Sequence, residues 1–275
     1  MPAAKKKIKK IDFSKIKFGR LPRIDDARTF EISKYLKNEK LPPIPKKYNW
    51  GKKIRHNKWG AMGNLKIKIC TCAAAGHSIM AWSSNIGELV RPSDESILDA
   101  YRALSHYNPE TNEHDDGVES LRCLKYWRKH GIAGHQIIAF AKLQDKNREQ
   151  LIQTIYLFGG CYVGLNLPLS AERQYNTTKK WTIPRGGKKR DAKAGSWFGH
   201  AVLVTGYKKD ELRIITWGEE MIMTMEFWEA YGDESYALFS EGFIKHDKTP
   251  TGIDIEILKN DIEILQKKKR ASEPA

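Results

Sequence analysis

The feature that most constrains the fold is a change of hydrophobic periodicity along the chain. From about residue 60 to 141 the pattern is helical: an alanine-rich run covers 70–83, an amphipathic segment follows Ser93, and a third segment ends at Gly131. From about 155 the apolar residues form short β-rich runs between turn residues, at 161–167, 200–207, 212–217 and 236–239. A helical half followed by a sheet half predicts an α+β protein.

Two terminal segments flank this core. Residues 1–58 form a basic arm that is rich in Lys and Pro and lacks sustained helical periodicity, and we expect it to wrap around the body. Apolar residues near helical spacing in 253–267 predict a last helix, so 246–275 is interpreted as a C-terminal helix with a basic tail. The core at 59–245 divides into a helical part, about 59–141, and a β-rich part, about 150–245.

The net charge of +15 is confined to three segments. Residues 1–20 hold eight Lys or Arg against one Asp, residues 179–193 (the basic loop) hold seven against one, and residues 259–275 hold five against three acids. A protein that follows a nucleic-acid backbone is expected to have a basic face, so this distribution does not favour nucleic acid as the primary ligand. The basic loop and the tails are predicted to bind an acidic partner; the alternative is that they are only solvated.

Composition argues against several other classes. No run approaches the roughly 18 apolar residues that a membrane helix requires, and no apolar segment follows the lysine-rich start, so we expect a soluble cytoplasmic protein without membrane contact.

The four cysteines are then expected to be reduced. Cys70 and Cys72 are one residue apart, and no second pair with zinc-ligand spacing follows, so no metal is predicted. Gly186-Gly187 lacks the strand-to-helix context of a phosphate loop, and no cofactor is predicted.

Two residues suggest nucleophilic chemistry. Cys70 stands where the first predicted helix begins, and a thiolate is stabilised by a helix N-terminus and by an imidazolium partner. His200 heads an apolar strand that is followed by a turn and a returning strand ending in Thr216-Trp217-Gly218. The alternative is that both residues are structural, as most buried cysteines and strand histidines are. His77 is interpreted as a core residue, and the polar stretch 113–116 as a solvated turn.

With these motifs in place, the sequence resembles the papain-like cysteine peptidases over about residues 58–240. The family's catalytic His opens a strand of the form HAVxxVGY, and its returning strand ends in N-S-W-G, which His200 and Trp217 match in spacing. Asn64, six residues before Cys70, matches the family's oxyanion-hole Gln. The G-N-(five residues)-C and T-W-G motifs are most similar to a branch from bacteria and phages. The resemblance implies a helical lobe and a β-barrel-like lobe with a cleft between them, and a peptide or protein substrate.

The resemblance also implies roles for individual residues. Cys70 would be the nucleophile, His200 its base, and Asn64 with the Cys70 backbone N–H the oxyanion hole. The segment Asp116, Gly117 and Val118 matches the family's N-G-G turn, whose backbone pairs with the main chain of the substrate.

Two departures from the family pattern bear on activity. Ile215 stands where the family has the Asn that orients the imidazole, which leaves Thr216 and Trp217 as candidates to orient or shield His200. Lys68-Ile69 replaces the small pair expected before the nucleophile. A second interpretation therefore stays open, in which a catalytically silent papain-like domain binds a partner or serves a structural role, for instance in a phage particle.

Overall fold

The computed structural model describes residues 12, 17–37, 41–185, 189–254, 256–260 and 262–264. Its helices are α1 (Ile32–Leu36), α2 (Cys70–Ile86), α3 (Asp94–Ser105), α4 (Ser120–His130), α5 (Arg148–Leu157), α6 (Ser170–Thr177) and α7 (Met225–Tyr231). Its strands are β1 (Phe30–Glu31), β2 (Lys47–Asn49), β3 (Ala139–Lys142), β4 (Cys161–Leu167), β5 (Lys180–Trp181), β6 (Phe198–Lys208), β7 (Glu211–Thr216), β8 (Glu219–Thr224) and β9 (Gly232–Phe239).

The helices of the first half begin and end where local chemistry requires. The Ser93 side chain accepts a hydrogen bond from the Ser96 N–H and caps α3, while Gly131, at φ 83°, ends α4. Helix α2 is buried on almost every side because its small residues let neighbours approach closely. A Cβ at Gly76, for example, would lie 2.4 Å from the Met62 sulfur. None of the helices in the described ranges combines the length and apolarity needed to cross a bilayer.

The strands form one mixed sheet in the order β1-β3-β9-β4-β6-β7-β8-β5, with β2 paired to β6. Strand β6 lies at its centre, antiparallel to both β4 and β7. The two ends of the order, β1 and β5, are two-residue strands that do not pair with each other, so the sheet is open. The β-barrel-like lobe predicted from the sequence is therefore wrong, whereas the α+β class is confirmed.

The described parts of the two terminal segments pack against the body. Ile32, Tyr35 and Trp50 are buried, and the Trp50 indole donates a 2.7 Å hydrogen bond to the Ile155 carbonyl. Residues 256–260 and 262–264 are helical, and Leu258 is buried. The tail beyond 264, nearly all of the arm before 17, and residues 186–188 of the basic loop lie outside the described residues.

Candidate active site

Cys70 is the first residue of α2 and is fully buried. Its N–H is one of the helix donors without an intrahelical acceptor, so the thiol sits at the positive end of the helix dipole. Burial nevertheless raises the pKa of the Cys70 thiol to about 11, although hydrogen bonds with the backbone of Ala201 and of Gly19 oppose the rise. The lowered pKa expected from the sequence is therefore wrong for this form of the protein, because the thiol is shielded from water.

His200 lies in β6, next to the Ala201 backbone that contacts the Cys70 thiol. Its Nε2 is 2.8 Å from the Thr216 hydroxyl, and its ring stacks on Trp217 with centroids 4.5 Å apart. The opposite nitrogen, Nδ1, is buried and has no hydrogen-bond partner among the described residues. Burial, and secondly the charge of Arg20, lower the pKa of His200 to about 3, so the imidazole is neutral here.

Thr216, rather than Ile215, contacts the imidazole. Successive side chains of a strand point to opposite faces, and Ile215 is wholly buried where β7 pairs with Leu203 of β6. The pairing register of β6 and β7 shifts between Val204 and Gly206. Counting residues along the sequence from His200 therefore does not identify which residue of β7 lies beside the imidazole. The side chain next to the expected position therefore takes the orienting contact.

Asn64 is held in a tight loop before α2. Its N–H donates to the Ala61 carbonyl at 2.9 Å, Gly63 has φ 78°, and the Gly60 carbonyl lies 2.8 Å from Nε2 of His77. The Asn64 side chain is buried, and its Oδ1 has no partner within the part of the chain that the structure describes. His77 is a buried core residue, and burial lowers its pKa to about 4.

The backbone of the turn at 116–118, which the resemblance assigns to the substrate main chain, pairs in the structure with the N-terminal arm. The Val118 N–H donates to the Gly19 carbonyl at 2.7 Å, and the Leu21 N–H donates to the Val118 carbonyl at 3.3 Å. Gly117 permits this approach, since a Cβ there would lie 2.3 Å from the Gly19 oxygen. Asp116 is exposed.

The expectation of a solvated turn at 113–116 is wrong for Asp115. Its carboxylate is buried and accepts hydrogen bonds from the Tyr101 hydroxyl at 2.9 Å and from the Lys68 N–H, also at 2.9 Å. The Lys17 ammonium completes the set at 2.6 Å. Asp115 thus ties the arm to the segment just before Cys70.

Residues 17–22 of the arm, here named the cleft segment, cover the site. Gly19 passes so close to Lys68 that a Cβ would lie 1.8 Å from the Lys68 carbonyl oxygen. The Phe18 ring packs edge-on against His200 and Trp217, with centroids 6.0 Å from each. Cys70 and His200 are at most 1% exposed beneath this segment.

Sequence reasoning missed an acidic pocket beneath the cleft segment. The Arg20 guanidinium contacts Asn166, Asp233 and Glu234 there. The sequence did not predict these contacts, because Arg20 is one of many basic residues in the arm. Asp233 and Glu234, at the start of a strand, belong to no periodic pattern or motif.

The other cysteines are buried in the body. Cys72 and Cys123 have sulfurs 4.0 Å apart, too far for a disulfide, and Cys161 hydrogen bonds the Tyr236 carbonyl. Across the described ranges, no three His, Cys, Asp or Glu side chains are grouped to hold a metal ion.

Comparisons with known proteins place this geometry in a structural class. No family model matches the chain, and no curated protein sequence does. Among solved structures, the chain is similar to xylellain, a cysteine protease from Xylella fastidiosa, with 16% identity, 82% of this chain and 97% of that chain covered, and a TM-score of 0.58. It is also similar to proCathepsin B of Trypanosoma congolense (12% identity, 83% and 88% covered, TM-score 0.54). A third match is a digestive procathepsin L2 proteinase of Tenebrio molitor larval midgut (9%, 82% and 79%, TM-score 0.56).

At sequence identities of 9% to 16%, the similarity to these structures shows the fold alone. The chain has a papain-like α+β fold, which confirms the fold expected from the sequence resemblance.

Proposed function

We propose that this chain is a cysteine peptidase that hydrolyses a peptide or isopeptide bond, with Cys70 as nucleophile and His200 as its base. The observation that carries the proposal is the 2.8 Å contact between His200 Nε2 and the Thr216 hydroxyl. A hydroxyl that accepts the Nε2 proton fixes the tautomer in which Nδ1 has a free lone pair. The Cys70 thiol, hydrogen bonded to the neighbouring Ala201 backbone, is the nearby group that Nδ1 is suited to deprotonate.

Each further step uses a group of the described site. Nδ1 of His200 takes the thiol proton, and the thiolate at the start of α2 attacks the substrate carbonyl carbon. The Cys70 N–H and the Asn64 side-chain amide hold the oxyanion. His200 then protonates the leaving amine and activates the water that hydrolyses the thioester. The Val118 backbone, which now pairs with the cleft segment, would hold the main chain of the substrate.

The form described here is a resting form. Burial beneath the cleft segment keeps the pKa of Cys70 high and that of His200 low, so neither group is charged. Displacement of the cleft segment admits water and removes the Arg20 charge, and both changes raise the pKa of His200 toward its ordinary value. We therefore expect turnover to require release of this segment.

The test compares the intact chain with a full-length Arg20→Ala variant, in which the cleft segment is less firmly held. Each is incubated with a mixture of unstructured peptides, and new termini are identified by mass spectrometry. We expect the variant to cleave faster than the intact chain, Cys70→Ser to abolish cleavage in either background, and the buried-thiol control Cys161→Ser to retain it.

The second interpretation, a catalytically silent domain, makes the opposite forecast. Cleavage that survives Cys70→Ser would show a contaminating peptidase. An opened variant whose Cys70 is accessible to alkylation but which cleaves no peptide would establish a binding or structural role.

A further inference from the structure

We infer that an apolar pocket between helix α5 and the strand pair β2–β6, here named the α5 pocket, docks an acidic peptide segment of a partner protein through one apolar side chain. The pocket has a volume of about 480 Å³, within the range of specific ligand sites. It is lined by Tyr207 of β6, seven residues beyond His200, which is roughly 23 Å along a strand. The inference stands apart from the proposed function, because the pocket is lined by residues other than those assigned to catalysis.

The walls of the α5 pocket are apolar and firmly placed. Ile44 and Pro45, from the segment before β2, line it together with Ile152 of α5 and Tyr207. The Tyr207 hydroxyl donates a 2.8 Å hydrogen bond to the Pro45 carbonyl, which fixes this segment to the sheet. Ile44 and Ile152 are only partly buried, although both pack against the core. A concave apolar surface of this kind fits an apolar side chain of a partner.

The edge of the α5 pocket carries positive charge that the protein itself does not neutralise. Lys46 and Lys209 line the pocket, and neither ammonium forms an ion pair within the part of the chain that the structure describes. Arg148 also lines it, but Glu229 binds this guanidinium at 2.6 Å. Lys209 has φ 53°, so a lysine occupies a turn position that glycine or asparagine would fill at a lower conformational cost.

The positive charge continues on the other face of the same strand pair. Lys47 of β2 lies directly opposite Lys208 of β6, and like charges in this arrangement repel each other. Glu211 lies opposite Lys208 on β7, but its carboxylate is paired with Lys180 at 2.6 Å. An anionic partner beside these strands would offset the repulsion, so the charge pattern complements carboxylates on both sides of an apolar anchor.

Charge and shape together select the occupant. Residues 1–20 and 259–275 are both basic, so the chain's own ends would be repelled, and a net charge of +15 disfavours a second copy. Single-stranded nucleic acid binds on exposed aromatic rings, whereas Tyr207 is 3% exposed and the other walls are aliphatic. A peptide with acidic residues around one apolar side chain matches both the walls and the edge.

The experiment measures peptide binding to the full-length Cys70→Ser chain, so that no probe is cleaved. The probes are fluorescein-labelled peptides with two glutamates on each side of one residue, which is leucine, phenylalanine, tryptophan or serine. In fluorescence anisotropy, we expect at least one apolar peptide to bind about 10-fold more tightly than the serine peptide. Its affinity should fall as salt rises above roughly 0.15 M, and lysines in place of the glutamates should abolish binding.

Three variants in the Cys70→Ser background locate the binding. Lys46→Gln combined with Lys209→Asn should weaken the best peptide roughly 3- to 10-fold, and asparagine tolerates the turn at 209, so the fold is kept. Glu149→Gln removes a carboxylate that lines the pocket and should tighten binding roughly 2-fold. The matched control is Lys129→Gln with Lys248→Gln, two exposed lysines outside the lining with the same change of charge, and it should leave the affinity unchanged.

Several outcomes would overturn the docking site. These are equal affinity for the serine and apolar peptides, unchanged affinity in the Lys46 and Lys209 double variant, an equal loss in the control, or no gain in Glu149→Gln. A single-stranded oligonucleotide that binds more tightly than every peptide, and weakens in the same double variant, would replace the peptide with a nucleic acid. Failure of the proposed function is distinguishable, because a chain that binds these peptides but never cleaves any substrate would refute the peptidase alone.

Discussion

Replacement of Arg20 by alanine is expected to expose Cys70. In the structure the cleft segment is held by the buried pair of Arg20 and Glu234, by the ion pair of Lys17 and Asp115, and by backbone bonds to Val118. The alanine variant leaves Glu234 buried without its cation whenever the segment is closed. In the open form water reaches this carboxylate, so the substitution favours opening.

The expected increase in Cys70 labelling follows from the burial of the Arg20–Glu234 ion pair. Removing one partner of a fully buried ion pair costs about 3–5 kcal/mol, and about 1.4 kcal/mol corresponds to a factor of ten in an equilibrium. Both side chains are 0% exposed, and we assign the lower value, about 3 kcal/mol, to the equilibrium between the closed and open positions of the cleft segment. The open fraction, and with it the alkylation rate of Cys70, should rise on the order of 100-fold.

The assay is iodoacetamide labelling at neutral pH, with each thiol quantified by mass spectrometry over time. Cys72, Cys123 and Cys161 are internal controls, because all three are buried in the body and should stay slow. Arg213→Ala, which breaks an ion pair outside the cleft, should leave Cys70 slow as well. Unchanged labelling of Cys70 in Arg20→Ala would refute the reasoning, and so would equal acceleration of all four thiols, since that pattern reports general unfolding.

Four further outcomes are expected. Thr216→Val should lower kcat of the opened enzyme by roughly 10- to 100-fold with little change in melting temperature, whereas Thr216→Ser should retain activity, because only the hydroxyl holds the imidazole. Ile215→Asn should lower the free energy of unfolding by about 2–4 kcal/mol and give no gain in turnover, because it buries an amide in the core. Below pH 6.5 the free energy of unfolding should fall by up to about 1.4 kcal/mol per pH unit for each of two histidines, since burial lowers the pKa of His77 to about 4 and that of His200 to about 3; His77→Gln should remove roughly half of this slope in urea titrations between pH 6.5 and 4. Serine substitutions at Lys188, Lys189 and Arg190 of the basic loop should weaken cleavage of acidic peptides more than of neutral ones, with the difference shrinking above roughly 0.15 M salt.

Three results would contradict these forecasts in turn. Equal activity of Thr216→Val and Thr216→Ser would remove the orienting role of the hydroxyl. Higher turnover in a stable Ile215→Asn protein would return that position to the site. Equal effects of the loop substitutions on acidic and neutral peptides would leave the loop as a solvated insertion.

Sequence alone determined the elements whose signal is local. The cap at Ser93, the stop at Gly131 and the apolar run of β4 each depend on a few neighbouring residues, so α3, α4 and β4 could be located without the fold. The candidate pair Cys70 and His200 was also accessible, since each begins an element with a recognisable pattern.

Tertiary structure decided what depends on contacts between distant segments. Thr216 replaces the expected residue at His200 because a register shift in β6 and β7 cannot be read from spacing. Arg20 and Glu234 are 214 residues apart, and no local pattern predicts that the arm crosses the cleft to join them. The raised pKa of Cys70 has the same origin, because a thiol that helix position alone would acidify becomes a weak acid once another segment of the chain excludes water from it.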